Sequence, residues 1–273
     1  MRRKAGRRMR PAAALALAVL ILGGGAWAEE LHIHYPWREA VVVVPAPEGF
    51  ILGRMNEKLV LDRLSRLPAG KKFPAVLYLH GCSGVAPENF DYIHLLAGEG
   101  YAVVAPDSFA RPDRPETCDP KRYAGVLGAP QAEVNRMRRE EIQESLEHLR
   151  RLPWVDQRNI FLMGHSQGGG AASSYSGGGF RGVILSGSLC PSGLNAPAGT
   201  PVLALYSKRD PWLQGRDPRS CEARGKERGL PIEFHLFPGN FHNQAKNPQA
   251  RELILDFLRR HTEPSARMTG SVR

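Results

Sequence analysis

The sequence predicts an α/β protein built on a mostly parallel, doubly wound sheet with antiparallel strands at its N-terminal edge. Three observations support this class. From residue 75 onward, short apolar runs alternate with longer polar stretches of helical character. The apolar runs are rich in β-branched residues and are bounded by Gly, Pro, Asp or Ser. Such continuously apolar strands suit a parallel sheet that is covered by helices on both faces.

Six buried strands and five helices are predicted in alternation. The strand runs are AVLYLHG (75–81), YAVVAPDS (101–108), NIFLMGHS (159–166), GVILSGS (182–188), PVLALYS (201–207) and IEFHLFPG (232–239). The helix candidates are 88–99, 130–151, 168–175, 217–228 and 247–260. The clearest helix is 130–151, which repeats apolar residues at near-helical spacing and ends before Pro153. Strand–helix–strand units of this kind imply right-handed crossovers.

The region before residue 75 has a different pattern. AVVVV (40–44), FILGRM (50–55) and KLVLDRL (58–64) predict antiparallel edge strands that are joined by turns such as PAPEG. No linker is visible between residues 30 and 260, so one domain is expected over 29–261. The final stretch, 262–273, is expected to be a flexible tail.

The formal net charge of +10 at first suggests a nucleic-acid partner. Six of the basic side chains and no acidic ones lie in residues 1–28, so the excess for the remainder falls to +4. This segment runs from a basic start through the apolar stretch PAAALALAVLIL to GGG and Ala26-Trp27-Ala28. That order is typical of a cleavable secretory signal peptide. We therefore expect a periplasmic or secreted protein cut near Ala28, with an uncleaved anchor as the alternative and the export route open.

No helix-turn-helix, zinc-finger or similar nucleic-acid signature is present in the sequence. Basic clusters such as 136–139 alternate with acids and are interpreted as solvated faces. A small-molecule partner is expected, with no nucleic acid and no membrane association after signal cleavage. The sequence does not specify an oligomeric state.

Four cysteines lie in the expected mature chain, namely Cys82, Cys118, Cys190 and Cys221. Export makes disulfides possible, and an even number of cysteines allows three pairings. Nearest-neighbour pairing, Cys82–Cys118 and Cys190–Cys221, is the working expectation. A zinc site is the alternative use of these cysteines, but C-x-x-C and a nearby H-x-x-x-H are lacking, so no metal site is expected. The Gly-rich stretches 168–170 and 177–179 do not form a phosphate loop or a dinucleotide fingerprint, so no cofactor is expected.

Gly164-His165-Ser166-Gln167-Gly168 is a G-x-S-x-G motif between a predicted strand and a small-residue helix. This is the setting of a nucleophile elbow, where the chain turns very tightly from strand to helix. Glycines remove Cβ clashes in such a turn, and the helix N-terminus favours developing negative charge. Ser166 is therefore the predicted nucleophile.

A serine nucleophile needs a base, and the base needs an orienting acid. In this topology the expected chain order is Ser, acid, His. Asp210 follows the strand PVLALYS, and His242 follows the strand IEFHLFPG, so three strand ends could bring Ser166, Asp210 and His242 together. The competing acids are Asp217, Asp107 and Glu233. The competing histidines are His235 and His261.

The loop His80-Gly81-Cys82-Ser83-Gly84 follows the strand AVLYL. A glycine-bearing loop here allows a backbone N–H to face a substrate oxyanion. The backbone N–H groups of Cys82 and Gln167 are the predicted oxyanion donors, which leaves the Cys82 side chain free for a loop-stiffening disulfide. His80 is interpreted as a structural support for the turn. The candidate aromatic walls of a substrate pocket are Trp212, Tyr123, Phe109 and Phe241.

These motifs together resemble the α/β-hydrolases, and within them the dienelactone-hydrolase-like family. The matching stretches are FPAVLYLHGCSG, YAVVAPDSF, WVDQRNIFLMGHSQGG, the Asp210 loop and FPGNFH, spanning about residues 73–243. Dienelactone hydrolases proper use a cysteine nucleophile, whereas position 166 is serine, so the chain is more similar to serine-bearing exported relatives. The resemblance implies cleavage of a carboxylic ester through an acyl-enzyme. An amidase or peptidase on the same triad, or a non-catalytic binding protein on this fold, are the alternatives.

Overall fold

A computed structural model, which describes residues 32–118, 129–213 and 215–264, arranges the chain around one eight-stranded sheet. The strands are β1 (Val41–Ala46), β2 (Gly49–Arg54), β3 (Phe73–Leu79), β4 (Ala102–Ala105), β5 (Val155–His165), β6 (Val183–Ser186), β7 (Val202–Ser207) and β8 (Ile232–Phe237). Their spatial order is β2-β1-β4-β3-β5-β6-β7-β8. The order places β3, β5 and β6 at the centre of the sheet, where the elbow motif lies.

Strand direction agrees with the predicted sheet. β1 pairs antiparallel with both β2 and β4, and every other neighbouring pair is parallel. β1 and β2 are joined by only residues 47 and 48, a connection short enough to require an antiparallel hairpin. The parallel strands are mostly connected through helices that cross over the sheet. The predicted fold class, an α/β domain with antiparallel N-terminal edge strands, is confirmed.

Helices cover both faces of the sheet. They are α1 (Tyr35–Arg38), α2 (Lys58–Ser65), α3 (Phe90–Gly98), α4 (Gln131–Arg151), α5 (Gln167–Ser174), α6 (Ser220–Glu227) and α7 (Pro248–His261). One apolar core contains residues from α2, α4, α5 and α6, and the other contains residues from α3 and α7. Central strands contribute alternately to the two cores, as Leu77 and Leu79 lie in the first and Val76 and Tyr78 in the second. A strand buried on both faces must be apolar throughout, which explains the continuous runs.

The predicted strand at 58–64 is wrong, because these residues form helix α2. Val60 and Leu64, one helical turn apart, are buried, whereas Leu59 is 71% exposed. The helix packs closely on β2, and Val60 Cγ2 occupies the space where a Cβ on Gly53 would lie, 2.5 Å away. A short run that contains several leucines is compatible with the residue spacing of both a strand and a helix. The sequence pattern does not distinguish the two, whereas the packing of Val60 against Gly53 does.

The interpretation of 136–139 as a fully solvated cluster is also wrong for Arg138. Its side chain is completely buried, with its Nε 3.7 Å from an oxygen of buried Glu141. Arg138 Nη1 donates to the carbonyl oxygen of His80 at 3.0 Å. The opposite charge of Glu141 offsets part of the cost of burying Arg138. The hydrogen bond from Arg138 to His80 ties α4 to the loop that follows β3.

The described residues form a single α/β domain, and none of the helices among them is long and apolar enough to cross a membrane. The predicted signal peptide, 1–28, and most of the predicted tail, 262–273, lie outside the described residues.

Candidate active site

Ser166 stands between the end of β5 and the first residue of α5. Its backbone has φ 54° and ψ −121°, and among the described residues it alone combines a positive φ with a side chain. A conformation of this kind costs about 1–3 kcal/mol and concentrates at functional sites. The backbone N–H of Ser166 donates to the carbonyl oxygen of Ser186 on β6 at 2.9 Å, which holds the turn in place.

The two glycines of the motif are required by close backbone contacts. A Cβ at Gly168 would lie 2.6 Å from the carbonyl oxygen of His80 and closer still to that of Leu79. A Cβ at Gly164 would lie 2.6 Å from the backbone nitrogen of Gly169. Neither neighbour can move without displacing a strand or helix. The helix after the serine therefore packs directly against the end of β3, which is the local reason for G-x-S-x-G.

Asp210 and His242 form a hydrogen-bonded pair beyond the ends of β7 and β8. His242 Nδ1 lies 2.8 Å from Asp210 Oδ2, and the Asp210 side chain is fully buried. The other carboxylate oxygen, Oδ1, accepts from the backbone N–H of Trp212 at 2.9 Å. A carboxylate can only accept here, so Nδ1 of His242 is the donor of this hydrogen bond.

The imidazole of His242 is packed on two sides. The ring of Trp212 stacks on it with centroids 5.5 Å apart, and the ring of His165 lies at 4.8 Å. Gly187, which has φ +60°, lies beneath the ring. A Cβ at this position would lie only 2.5 Å from the carbonyl oxygen of His242, so the close approach requires glycine. These contacts restrict the ring to an orientation at the same cavity that Ser166 lines.

The buried side of the site contains a polar cluster that sequence analysis did not find. The hydroxyl of Tyr92 on α3 accepts from the backbone N–H of Gln244 at 2.8 Å and lies 2.5 Å from Ser186 Oγ. The same hydroxyl is 3.4 Å from Nδ1 of His165. The loop that carries His242 is thus tied to the strand beside the elbow. Nothing in the apolar pattern of α3 distinguishes this tyrosine from an ordinary core residue.

Burial, followed by the nearby charge of His242, lowers the pKa of His165 to about 3 from an ordinary 6.5. In the unfolded chain this histidine binds a proton between these two values, whereas in the folded protein it does not. The free energy of unfolding should therefore decrease as the pH is lowered from about 6.5. The contribution of His165 to this decrease is at most about 1.4 kcal/mol per pH unit. Urea denaturation from pH 7 to pH 4 measures it, and His165→Gln should show a shallower slope. Equal slopes in the two proteins would contradict the prediction.

The loop after β3 lies against the elbow. A Cβ at Gly81 would touch Ser166 Cβ at 3.5 Å, and Cys82 and Gln167 line the same cavity as Ser166. His80 is buried within the fold, where its Nε2 accepts from the backbone N–H of Ser108 at 3.0 Å. Burial and the charge of Arg138 lower the pKa of His80 well below its ordinary value. His80 is therefore a neutral support for the loop.

The structure pairs Cys82 with Cys118 and Cys190 with Cys221, and the first of these disulfides lines the cavity. The Gln167 side chain also holds the loop that carries Cys118. Its amide nitrogen donates to Thr117 Oγ1 at 2.6 Å, and its amide oxygen accepts from Arg114 at 2.7 Å. The G-x-S-x-G motif predicts a role only for the backbone of Gln167, because a lone glutamine in a motif carries no signal for these long-range contacts.

Loss of either disulfide should destabilise the protein. The cross-links join cysteines 36 and 31 positions apart, and the chain-entropy treatment gives about 3–4 kcal/mol for each. Urea denaturation of Cys190→Ala/Cys221→Ala should show a lower midpoint than wild type. Cys82→Ala/Cys118→Ala should show a similar loss and, in addition, a lower kcat, because its loop lies against Ser166. Unchanged midpoints in both variants would contradict the prediction.

The cavity at the site has a volume of about 240 Å³. Its lining residues are Cys82, Cys118, Gln131, Asn135, Ser166, Gln167, Gly170, Gly187, Ser188, Leu189, Pro191, Trp212, Leu213, Arg216 and His242. Trp212 is therefore a wall of the cavity, as expected. Phe109 instead stacks on His80, Phe241 is 40% exposed outside the lining, and Tyr123 lies outside the described residues.

The competing acids and histidines have other contacts. Asp217 accepts from the backbone N–H of Arg219, Asp107 pairs with Arg54, and Glu233 pairs with Arg260. His235 and His261 contact Phe237 and Phe257 respectively. None of the five lines the cavity. The cavity thus brings together Ser166, His242 and, through its hydrogen bond, Asp210.

The fold and the serine elbow define an α/β-hydrolase. The dienelactone hydrolase family matches residues 61–256, and the chain belongs to this family. It is therefore an enzyme of the hydrolase class, with serine at the elbow position. No curated protein matches this sequence.

Solved structures share the fold at low sequence identity. A candidate dienelactone hydrolase from Klebsiella pneumoniae has a TM-score of 0.51 and 18% identity, with 70% of this chain and 88% of that chain covered. The Pf2001 esterase of Pyrococcus furiosus has a TM-score of 0.54 and 14% identity, with coverage of 69% and 83%. An acetyl ester-xyloside bifunctional hydrolase from Caldicellulosiruptor lactoaceticus has a TM-score of 0.51 and 14% identity, with coverage of 71% and 85%.

Proposed function

We propose that this chain is an exported serine hydrolase that cleaves carboxylic esters through an acyl-enzyme. Ser166 is the nucleophile, His242 the general base and acid, and Asp210 the residue that orients the imidazole. The observation that carries the proposal is the 2.8 Å hydrogen bond between His242 Nδ1 and Asp210 Oδ2 at the cavity that Ser166 lines. This bond leaves Nε2 of His242 free to accept a proton.

The proposed reaction has two stages. Ser166 Oγ attacks the ester carbonyl carbon as its proton passes to His242 Nε2, and the carbonyl electron pair moves to oxygen. When the carbonyl re-forms, the C–O bond to the alcohol breaks and the alcohol leaves with the proton from His242. Water then attacks the acyl-enzyme with the same base and releases the acid. Asp210 stabilises the imidazolium that forms in each stage.

The oxyanion of each tetrahedral intermediate requires hydrogen-bond donors. We assign these to the backbone N–H groups of Cys82 and Gln167. Gln167 begins α5, so its N–H is among those that a helix leaves without an intrahelical partner. Each such donor contributes about 2.7–4 kcal/mol in the transition state. The Cys82–Cys118 disulfide and the Gln167 side chain would keep both donors in position.

The proposed substrates are small esters. A cavity of about 240 Å³ is smaller than the roughly 300–1,000 Å³ that is typical of sites for drug-sized ligands. Leu189, Pro191, Trp212 and Leu213 supply apolar lining, which suits a short acyl or alcohol group. Two of the solved structures with this fold are described as an esterase and an acetyl ester-xyloside hydrolase, in agreement with this class.

Export is part of the proposal. The order of basic, apolar and small residues in 1–28 supports a signal peptide, and two disulfides suit an oxidising compartment. A periplasmic or secreted location follows. N-terminal sequencing of the protein recovered from the periplasm of a bacterial host should begin at Glu29.

The test of the proposed chemistry uses the oxidised protein beginning at Glu29. p-Nitrophenyl esters of increasing acyl length should be hydrolysed with the highest kcat/KM for the shortest chains, and matched p-nitroanilides should be far slower. A fluorophosphonate probe should label the protein, with the adduct mapped by mass spectrometry to Ser166. Faster turnover of the anilides would indicate an amidase, and a folded protein that neither turns over esters nor reacts with the probe would contradict a hydrolytic role.

A further inference from the structure

Three metal-ligating side chains meet away from the candidate active site. Glu144 and His148 lie one turn apart on α4, and His34 immediately precedes α1. One ligand atom from each of the three lies within 4.8 Å of the others. Neither the proposed ester chemistry nor the packing of the core uses these groups.

The contacts within this cluster are short and share one oxygen. His34 Nδ1 lies 2.5 Å from Glu144 Oε1, and His148 Nε2 lies 2.9 Å from the same atom. Two imidazole nitrogens and one carboxylate are a recurrent protein donor set for Zn²⁺, with solvent at the fourth position. Small rotations of these side chains would open the separations to those of ligands bound at about 2.0–2.2 Å.

One of the ligands is packed against a neighbouring ring and another is mostly buried. The His148 ring stacks on Trp37 with centroids 4.8 Å apart and planes 11° from parallel. The Glu144 side chain is only 17% exposed, whereas that of His34 is 58% exposed and accessible to an ion in solution. Because Glu144 and His148 already lie together on α4, metal binding would mainly have to order the side chain of His34. This lowers the conformational-entropy cost of binding.

There is space for the solvent ligand. His34 and His148 both line a cavity of about 380 Å³ beside the cluster. Arg38, which also lines it, has its guanidinium over the Tyr35 ring at 4.7 Å and close to Glu39 at 3.4 Å. The positive charge of Arg38 is therefore offset by the face of the Tyr35 ring and by the carboxylate of Glu39.

We propose that His34, Glu144 and His148 form a surface site for Zn²⁺ or a chemically similar divalent transition metal. The ion would replace the hydrogen bonds to Glu144 Oε1 with three metal–ligand bonds and keep one solvent ligand. It would tie the segment before β1 to α4, two parts of the chain 110 positions apart. The proposal is independent of ester hydrolysis. It departs from the expectation of no metal site, because the second histidine is distant in sequence and no H-x-x-x-H marks it.

Isothermal titration calorimetry of the EDTA-treated, dialysed protein with zinc chloride tests the site directly. Wild type should bind one equivalent in the micromolar range or tighter. His34→Gln and His148→Gln should each weaken binding by at least the roughly 10- to 100-fold that loss of an outer-shell partner costs, because each removes a direct ligand. Two control variants should bind zinc as wild type does. His94→Gln changes an exposed histidine on α3, and His242→Gln changes the histidine of the candidate active site. At a zinc concentration near the wild-type Kd, the Tm of wild type and of both controls should rise more than that of the two ligand variants.

Copper(II) provides a spectroscopic check of the ligands. The electron paramagnetic resonance spectrum of the copper-loaded protein should show coupling to two imidazole nitrogens, and that of His34→Gln should show one. Because His34 is 58% exposed, its replacement does not threaten folding. Absence of zinc binding to wild type, or an affinity that is unchanged in both ligand variants, would overturn the proposal. Loss of binding in His242→Gln alone would place the ion in the candidate active site instead.

Discussion

Replacing Ser166 with alanine should lower kcat for a p-nitrophenyl ester by about a million-fold, because no other group in the cavity would be activated as a nucleophile. Alanine keeps the Cβ at this strained position, so the local backbone cost is similar and the Tm should change little. Steady-state kinetics and fluorophosphonate labelling of Ser166→Ala measure the effect. The control is Ser176→Ala, an exposed serine outside the cavity.

The outcome separates a catalytic role from a structural one. Turnover and labelling that vanish at an unchanged Tm support Ser166 as the nucleophile. Labelling that persists in Ser166→Ala at wild-type strength would exclude it and with it the proposed triad. Equal loss in Ser176→Ala would show that the assay reports on folding.

Asp210→Asn should lower kcat by about ten-thousand-fold with little change in KM. The backbone N–H of Trp212 donates to one side-chain oxygen of residue 210 at 2.9 Å, so an asparagine must place its amide oxygen there. Its NH₂ group then faces Nδ1 of His242 and donates to it. The imidazole proton moves to Nε2, and the base that would take the proton of Ser166 is lost.

The matched control for this variant is Asp217→Asn. Asp217 lies in the same chain region and accepts from the backbone N–H of Arg219, but it does not line the cavity. Its kcat should remain close to that of wild type. Retention of more than about a tenth of kcat by Asp210→Asn would rule out an essential orienting carboxylate at this position.

Much of this architecture is encoded locally. The buried strands, the helix at 131–151 and the elbow could be predicted because each depends on a short pattern of apolar residues or glycines. The helix at 58–65 could not, because its leucines satisfy both periods until Val60 packs over Gly53. The burial of Arg138 could not be predicted for a related reason. An arginine in a charged helix looks solvated until Glu141 and the carbonyl oxygen of His80 are found beside it.

The fold class, the family resemblance and the chain order of Ser166, Asp210 and His242 can be read from the amino-acid sequence. Their convergence can also be expected, because the carboxyl ends of parallel strands meet at one edge of the sheet. Which other distant groups come into contact depends on the three-dimensional arrangement. It placed Tyr92 behind the loop of His242 and brought His34 to the helix that carries Glu144 and His148. Such contacts depend on strand order and helix placement, which no short window of sequence contains.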